Sequence, residues 1–565
     1  MFLPTTRKEL EDLGWDALDI ILVTGDAYID SPHIGVAVIG RVLQGAGFRV
    51  GVIGQPDIRS AADILRLGEP ILFWGVSGGS IDSMVANYTP LKKKRKSDDY
   101  TPGGINNRRP DRAVIVYANL IRRYASSKKP IILGGLEASL RRVAHYDFWS
   151  DSVRRSILFD AKADALLYGM AEYPMKELAA RMRDGRDYLD LPGLCWISKE
   201  KPDGYQELPS FEDVSSDNRA FIEMFRTFSQ NADPVSGTGL CQRHGDRYLV
   251  QNRPWPLLTP EELDAVYRMD FERDLHPFHQ AEGTVKALDT IRFSVATHRG
   301  CLGQCSFCSI SAHEGTAIVS RSEASILEEV RKLVGYPQFK GYIQDVGGPT
   351  ANMYGLDCLV RKKKGQCRHR RCLYPDICPS LKISHSRYRE LLKKIRSVPG
   401  VRKAFIASGI RHDLVCADTA HGKAFLEDVV EHHISGQMKI APEHSVDSVL
   451  ACMGKAGTAS LLGFRNDFSS LNRKKHKKQF LTYYFIAAHP GCTASDMKQL
   501  RIFIREHLKI IPEQVQIFTP TPSTWSTLMY CTGLDPFTGR EIFVERDPMK
   551  KQRQKDLITE KGRVP

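Results

Sequence analysis

No apolar run in the 565-residue sequence approaches the ~18 residues that a membrane-spanning helix requires, and the longest runs carry Gly, Asp or Pro inside them. The opening residues, MFLPTTRKELEDLGWD, lack the basic start, apolar stretch and small-residue cleavage site of an export signal. A cytoplasmic protein without a membrane partner is therefore the expectation. A disulfide framework is missing too. The thirteen cysteines are odd in number, and seven of them crowd into 301–378. In a reducing compartment such clustering marks metal binding or redox chemistry. The net charge of +14 is concentrated in part in KKKRK (92–96), RKKKGQCRHRR (361–371) and RKKHKK (473–478). No aromatic-interleaved recognition motif accompanies these runs, so solvated loops and a surface for RNA or another polyanion both remain open readings.

What is present has the composition of an ordinary globular chain, 42% hydrophobic and 26% charged. The length exceeds what one core supports, so roughly two to four domains are expected. Residues 1–200 alternate strand-like and helix-like segments: IILVT (20–24), RVGVI (49–53), ILFWGV (71–76), PIILG (130–134) and DALLY (164–168) read as buried strands. That repetition predicts an α/β fold, a doubly wound parallel sheet with ligands at the carboxyl ends of its strands. Thr24-Gly25-Asp26, Ser77-Gly78-Gly79 and Gly134-Gly135-Leu136-Glu137 fall there. The polar text from 89 to 112 reads as a long exposed loop, and 201–284, rich in Pro and charge, as a connector.

A second alternating series occupies 285–535, with strands expected at 291–297, 341–346, 403–408, 437–441, 480–487 and 514–518. Six βα units suit a partial (β/α)6 barrel better than a closed eight-stranded one. It carries a Cys-rich basic insertion at 355–380, and 536–565 reads as a frayed basic tail.

Directly after the first strand of this series stands His298-Arg299-Gly300-Cys301-Leu302-Gly303-Gln304-Cys305-Ser306-Phe307-Cys308, a C-x3-C-x2-C spacing. At this chain's cysteine frequency a chance match is expected only ~0.01 times. Three thiolates in one loop can grip one face of a 4Fe-4S cluster and leave a fourth iron open. An open position is what separates a catalytic metal site from a closed structural one. Gly303 relieves crowding around the cluster, and Gly300 lets the strand end turn.

The motif in this place resembles the radical S-adenosylmethionine (SAM) superfamily, over about 250 residues from Ile291. The resemblance implies iron, iron-sulfur and SAM binding: Cys301, Cys305 and Cys308 hold the 4Fe-4S cluster, SAM chelates its open iron, and one electron cleaves the sulfonium to a 5'-deoxyadenosyl radical. It also implies an electron donor of flavodoxin or ferredoxin type, an aromatic near the adenine at Phe307, and a glycine-rich turn for the methionyl amino group at Gly347 and Gly348. Ser408 to Arg411, Lys439, Pro442-Glu443-His444, His489-Pro490-Gly491 and Thr519 to Pro522 end the later strands and would ring the barrel mouth. GDAYID-x-PH-x-G, HRGCLGQCSFCSI and APEH together resemble the YgiQ-type radical SAM proteins over nearly the full length.

The N-terminal domain resembles the cobalamin-binding domains of many relatives. Those that ligate cobalt use D-x-H-x-x-G, and here His33 is displaced from that spacing, so cobalamin ligated by His33 is not expected, while cobalamin bound without a protein ligand and a degenerate domain that recognises substrate stay open. Cys358, Cys367, Cys372 and Cys378, spaced x8, x4 and x5, match no ferredoxin pattern; zinc, an auxiliary cluster and free thiols stay open. The expected function is a radical SAM enzyme with unknown substrate, its catalytic residues beyond the cofactor site also unknown. The competing class is a non-catalytic protein that binds zinc and nucleic acid.

Overall fold

The computed structural model describes residues 1–559, so 560–565 of the expected tail lie outside the described residues. The chain divides into two compact units: Met1–Leu257 with Ala265–Arg292, and Leu258–Asp264 with the chain from Phe293 onward. Among the described residues no helix is long and apolar enough to cross a membrane.

The first unit is built on a nine-stranded sheet. Its strands are β1 (Ile20–Thr24), β2 (Val50–Gly54), β3 (Phe73–Ser77), β4 (Ile131–Gly134), β5 (Ala165–Leu167), β6 (Leu194–Ser198), β7 (Gln206–Leu208), β8 (Leu240–His244) and β9 (Arg247–Gln251), in the order 7-8-9-6-5-4-3-1-2. β2, β1, β3, β4 and β5 run parallel, and β1, β2 and β3 are buried along nearly their whole length. Such near-continuous apolar runs belong to a sheet covered on both faces. The doubly wound expectation holds for these five strands. The segment 201–284 is not a connector: it supplies β7, β8 and β9, which extend the sheet beyond β5 with β6, the β5–β6, β6–β9 and β9–β8 pairings being antiparallel and β8–β7 parallel.

Chain order reverses between β1 and β3, the position at which such sheets form a ligand crevice. Here the crevice is filled by the chain itself. Arg109 is fully buried and donates from Nη2 to Asp26 Oδ1 at 2.8 Å, from Nε to Asp98 Oδ2 at 3.1 Å and from Nη1 to the Gly78 carbonyl at 2.7 Å. Burial alone would lower the pKa of this guanidinium; the charges of Asp26 and Asp98 outweigh it and raise it. Gly79 makes the approach possible, since a Cβ there would stand 2.3 Å from Asp26 Oδ1 and 2.5 Å from Arg109 Nη1. The loop 89–112 is thus exposed only in part: 92–97 lies in solvent, while Asp98, Thr101, Asn106 and Arg109 are buried.

The second unit carries β10 (Ser294–Ala296), β11 (Tyr342–Ile343), β12 (Asp345–Gly347), β13 (Lys403–Ala404), β14 (Gln437–Glu443), β15 (Phe480–Ala487) and β16 (Gln514–Ile517). β10 pairs with β12, β11 with β13, and β14, β15 and β16 form a continuous ladder, all parallel. Single bonds join the pieces, such as Ile410 N to the Lys439 carbonyl at 3.2 Å. This is the expected strand series of a partial barrel, with helices such as Glu323–Val334 and Ser386–Arg396 between strands. The end of the chain is more ordered than expected. Pro548–Thr559 is a helix whose Lys551, Gln554 and Ile558 are buried, with Lys551 Nζ donating to Tyr530 Oη at 2.9 Å.

Candidate functional site

The loop that follows β10 is closed at its base by a short antiparallel ribbon pairing His298 with Ser320 and Arg299 with Val319. Gly300 makes the turn with φ +83°, and a Cβ there would lie 1.9 Å from the Ala317 carbonyl oxygen. Further along, Ser306 N donates to the Met453 carbonyl at 2.8 Å, and Ser526 N donates to the Ser306 carbonyl at 2.9 Å. Arg371 Nη1 reaches the Gln304 carbonyl at 3.2 Å and Ser306 Oγ at 3.1 Å. Four backbone and side-chain anchors therefore hold a segment that has no regular structure of its own.

Cys301, Cys305 and Cys308 all line one cavity of about 160 Å³. Their surroundings are close-packed: a Cβ on Gly303 would stand 3.3 Å from Cys301 Sγ and 3.6 Å from Cys305 Sγ, so the glycine is where both sulfurs crowd the backbone. Gly303 N donates to Cys301 Sγ at 3.4 Å, Thr350 Oγ1 lies 3.8 Å from the same sulfur, and Arg411 Nη1 lies 3.8 Å from Cys305 Sγ. Burial raises the pKa of the Cys301 thiol and pushes that of Cys308 up to about 12. Thiols so placed ionise when a metal takes the proton's place. Among the described residues no three Cys, His, Asp or Glu groups already stand at the mutual distances of an assembled metal site. The loop gathers three thiolate donors in one cavity, and the donor set fits a cluster with one iron left open.

The remaining wall comes from the ends of later strands. Phe307 lines the cavity, and its ring meets His489 edge-on with 6.2 Å between centroids. His489 is buried and fixed on both sides, with Nδ1 donating to the Pro490 carbonyl at 2.8 Å and Nε2 accepting from Ser526 Oγ at 2.7 Å. Burial lowers its pKa to about 3, so the ring is neutral. Gly347 and Gly348 pack elsewhere: a Cβ on the first would meet Ser408 Oγ at 2.3 Å and on the second the His298 ring at 2.6 Å. Pro349 and Thr350, next in the same turn, make the wall.

Glu443 ends β14 in the left-handed region at φ +69°, where a bulge shifts the pairing with β15. Strain of this kind gathers at functional sites. Burial raises the Glu443 carboxyl's pKa against the opposing charges of Lys455 and Arg411, and Lys455 Nζ stands 3.6 Å from Glu443 Oε1. Arg411 pairs with Asp413, whose carboxyl is held far below the usual range because the guanidinium outweighs burial. His444 lines the cavity beside them, its pKa lowered by burial to about 4.

Of the strand-end residues expected at the mouth, Ile410, Arg411, Pro442, Glu443 and His444 line the cavity, and His489 supports Phe307. Thr521 instead accepts from the Thr524 and Thr527 hydroxyls at 2.8 and 2.7 Å, at the N-terminus of the helix Trp525–Thr532. Asp413 and Lys455 were not among the expected site residues. Asp413 stands two residues beyond the strand-end Arg411, a signal the sequence offers at many other places, and Lys455 follows the helix Asp447–Met453 with no local signal.

Gly300→Ala is expected to lower the stability of the second unit by about 1–3 kcal/mol, the range for overfilling a packed site, because the added carbon meets backbone and not a movable side chain. The measurement is urea unfolding followed together with iron content; unchanged unfolding and iron loading would show that Gly300 is not a required turn.

A family model described as Radical SAM N-terminal matches residues 2–294. A UPF0313 protein of Fusobacterium nucleatum is 53% identical over 561 residues, covering 99% of each chain. A UPF0313 protein of Thermotoga maritima is 49% identical over 568 residues, covering all of both. Among solved structures, the cobalamin-dependent S-adenosylmethionine radical enzyme OxsB with aqua-cobalamin bound aligns with a TM-score of 0.50 at 11% identity. The alignment covers 92% of this chain and 56% of that one. At that identity the likeness is one of fold.

Proposed function

The chain belongs to the UPF0313 family and carries the N-terminal domain of radical SAM proteins; from this premise we propose that it is a radical SAM enzyme of YgiQ type acting on a substrate not yet known. The observation that carries the reading is the convergence of Cys301, Cys305 and Cys308 on one cavity whose other walls bear a buried, charge-paired set of polar groups. When bound, a reduced 4Fe-4S cluster supplies the electron that cleaves SAM to a 5'-deoxyadenosyl radical. The protein's residues supply grip and position. The three thiolates hold the cluster, while Arg411, pinned by Asp413, brings a fixed positive charge next to the Cys305 sulfur. Lys455 and Arg411 offer positive charge for a carboxylate, and Glu443 offers negative charge for an ammonium group, the two polar ends of the methionyl part of SAM. Phe307, held by His489, offers an aromatic edge to the adenine.

Cobalamin is not part of this reading. Arg109 with Asp26 and Asp98 takes up the crevice at which a parallel sheet of this kind binds ligands. The chemistry requires a one-electron donor, and a protein of flavodoxin or ferredoxin type is the expected one. The exposed run at 92–97 is available to RNA or another polyanion.

The test is anaerobic reconstitution with iron and sulfide, followed by addition of SAM and dithionite. Formation of 5'-deoxyadenosine is the expected result. A colourless protein that takes up only zinc and leaves SAM intact would transfer the chain to the class of non-catalytic zinc and nucleic-acid binding proteins.

A further inference from the structure

The cysteines at 358, 367, 372 and 378 take no part in the cavity just described, yet they are not scattered. All four line a second, smaller cavity together with Arg361 and Gln304. The segment that carries them is closed at its base by a bridge between Asp357 and Lys382. Inside it, Cys378 N donates to the Cys372 carbonyl at 2.9 Å and Leu381 N to the Cys378 carbonyl at 2.9 Å. Arg361 Nη1 lies 3.7 Å from Cys372 Sγ, and Gln304 Nε2 lies 4.0 Å from it.

The segment is short and basic and has few apolar residues of its own, the composition in which small folds draw on a metal for added stability. Cys358 is buried in an apolar cluster with Leu302, Leu373 and Leu381, and Cys301, Cys372 and Cys378 pack against the same cluster. Three of the four thiols, those of Cys358, Cys372 and Cys378, are therefore held by packing, while Cys367 is exposed.

We propose that Cys358, Cys367, Cys372 and Cys378 form a closed, four-thiolate site for a single thiophilic ion, zinc being the ion of best fit. Four sulfurs complete the tetrahedral shell of a structural zinc and leave no open position. The cavity of about 30 Å³ offers the space of one or two water-sized bodies, which suits an ion and not an iron-sulfur cube. On binding, the thiols release their protons to solvent and no electron moves. Arg361 and the neighbouring basic residues offset the negative charge of four thiolates around a divalent ion. The site has a structural consequence. Arg371 stands between Cys367 and Cys372 and reaches Gln304 and Ser306, so the ion fixes the platform from which the Cys301 loop is held. The proposal stands whether or not the Cys301 trio carries a cluster.

The experiment is elemental analysis of the anaerobically purified full chain after dialysis against a mild chelator, for the wild type, Cys305→Ala, Cys372→Ala/Cys378→Ala and Cys367→Ser. Cys367 is exposed, so its serine variant leaves the packing intact and keeps the test valid if the double variant misfolds. About one zinc per chain is expected in the wild type and in Cys305→Ala. Retained zinc should fall more than about 10-fold in the double variant and in Cys367→Ser. Cobalt substitution should give the thiolate charge-transfer and tetrahedral ligand-field bands in the wild type, weakened in Cys367→Ser. Zinc unaffected by these substitutions overturns the proposal. So does the absence of bound zinc, or a second complement of iron and sulfide lost with Cys372 and Cys378. Loss of iron in Cys305→Ala with zinc unchanged reports on the first site alone.

Discussion

The Cys305→Ala protein is expected to form no 5'-deoxyadenosine above background when supplied anaerobically with iron, sulfide, SAM and dithionite. Its far-UV spectrum and its unfolding midpoint should change little. The asymmetry follows from what Cys305 touches. Its sulfur lies beside Arg411 Nη1 at 3.8 Å and lines the cavity with Cys301 and Cys308, while the anchors of the loop belong to Ser306, Gln304 and Arg371. Removing the sulfur deletes one of three ligands and leaves those anchors untouched. Two thiolates do not hold a cuboidal cluster on one face, so the electron source is lost entirely. Measured 5'-deoxyadenosine at a substantial fraction of the wild-type rate would reject the assignment of this loop as the cluster site.

Arg109→Met should destabilise the first unit by about 3–5 kcal/mol, the range for removing one partner of a buried ion pair. Methionine roughly matches the length of the arginine side chain, so the loss is electrostatic more than steric. Asp26 and Asp98 are both buried, and without the guanidinium two carboxylates face each other away from water. Chemical unfolding of the variant and the wild type at pH 7 checks the size of the loss. A variant as stable as the wild type at pH 7 would mean that the crevice is wet and open to a ligand.

Legibility in the sequence varied with how apolar each element is. The strand 480–487, FLTYYFIA, was read to the residue because its β-branched and aromatic content leaves no competing period. The antiparallel extension of the first sheet was missed, although Leu240–His244 and Arg247–Gln251 flank Gly245-Asp246, a two-residue turn with φ +63° at the glycine. Gln242, Arg243 and Arg247 masked the alternation of those strands, and the buried Gln242 works by hydrogen bonding, accepting from Ala144 N and donating to the Pro209 carbonyl, not by hydrophobicity. The same holds for the last helix, whose buried contacts are made by Lys551 and Gln554. In the site, the three cysteines were legible because their spacing carries the chemistry. Asp413 and Lys455 were not: Asp413 matters through Arg411, which folding brings to Cys305, and Lys455 through Glu443, which folding brings to it.

The anchors of the Cys301 loop come from far along the chain. Ser306 is held by Met453 and by Ser526. A polypeptide emerges from its amino end first, so the thiols reach solvent long before the residues that clamp them have been made. The loop takes its final shape only when translation is nearly complete. On the proposed reading, iron delivery would follow synthesis of the second unit as far as Ser526, and a chain truncated before Ser526 would display the ligands without one of the loop's anchors.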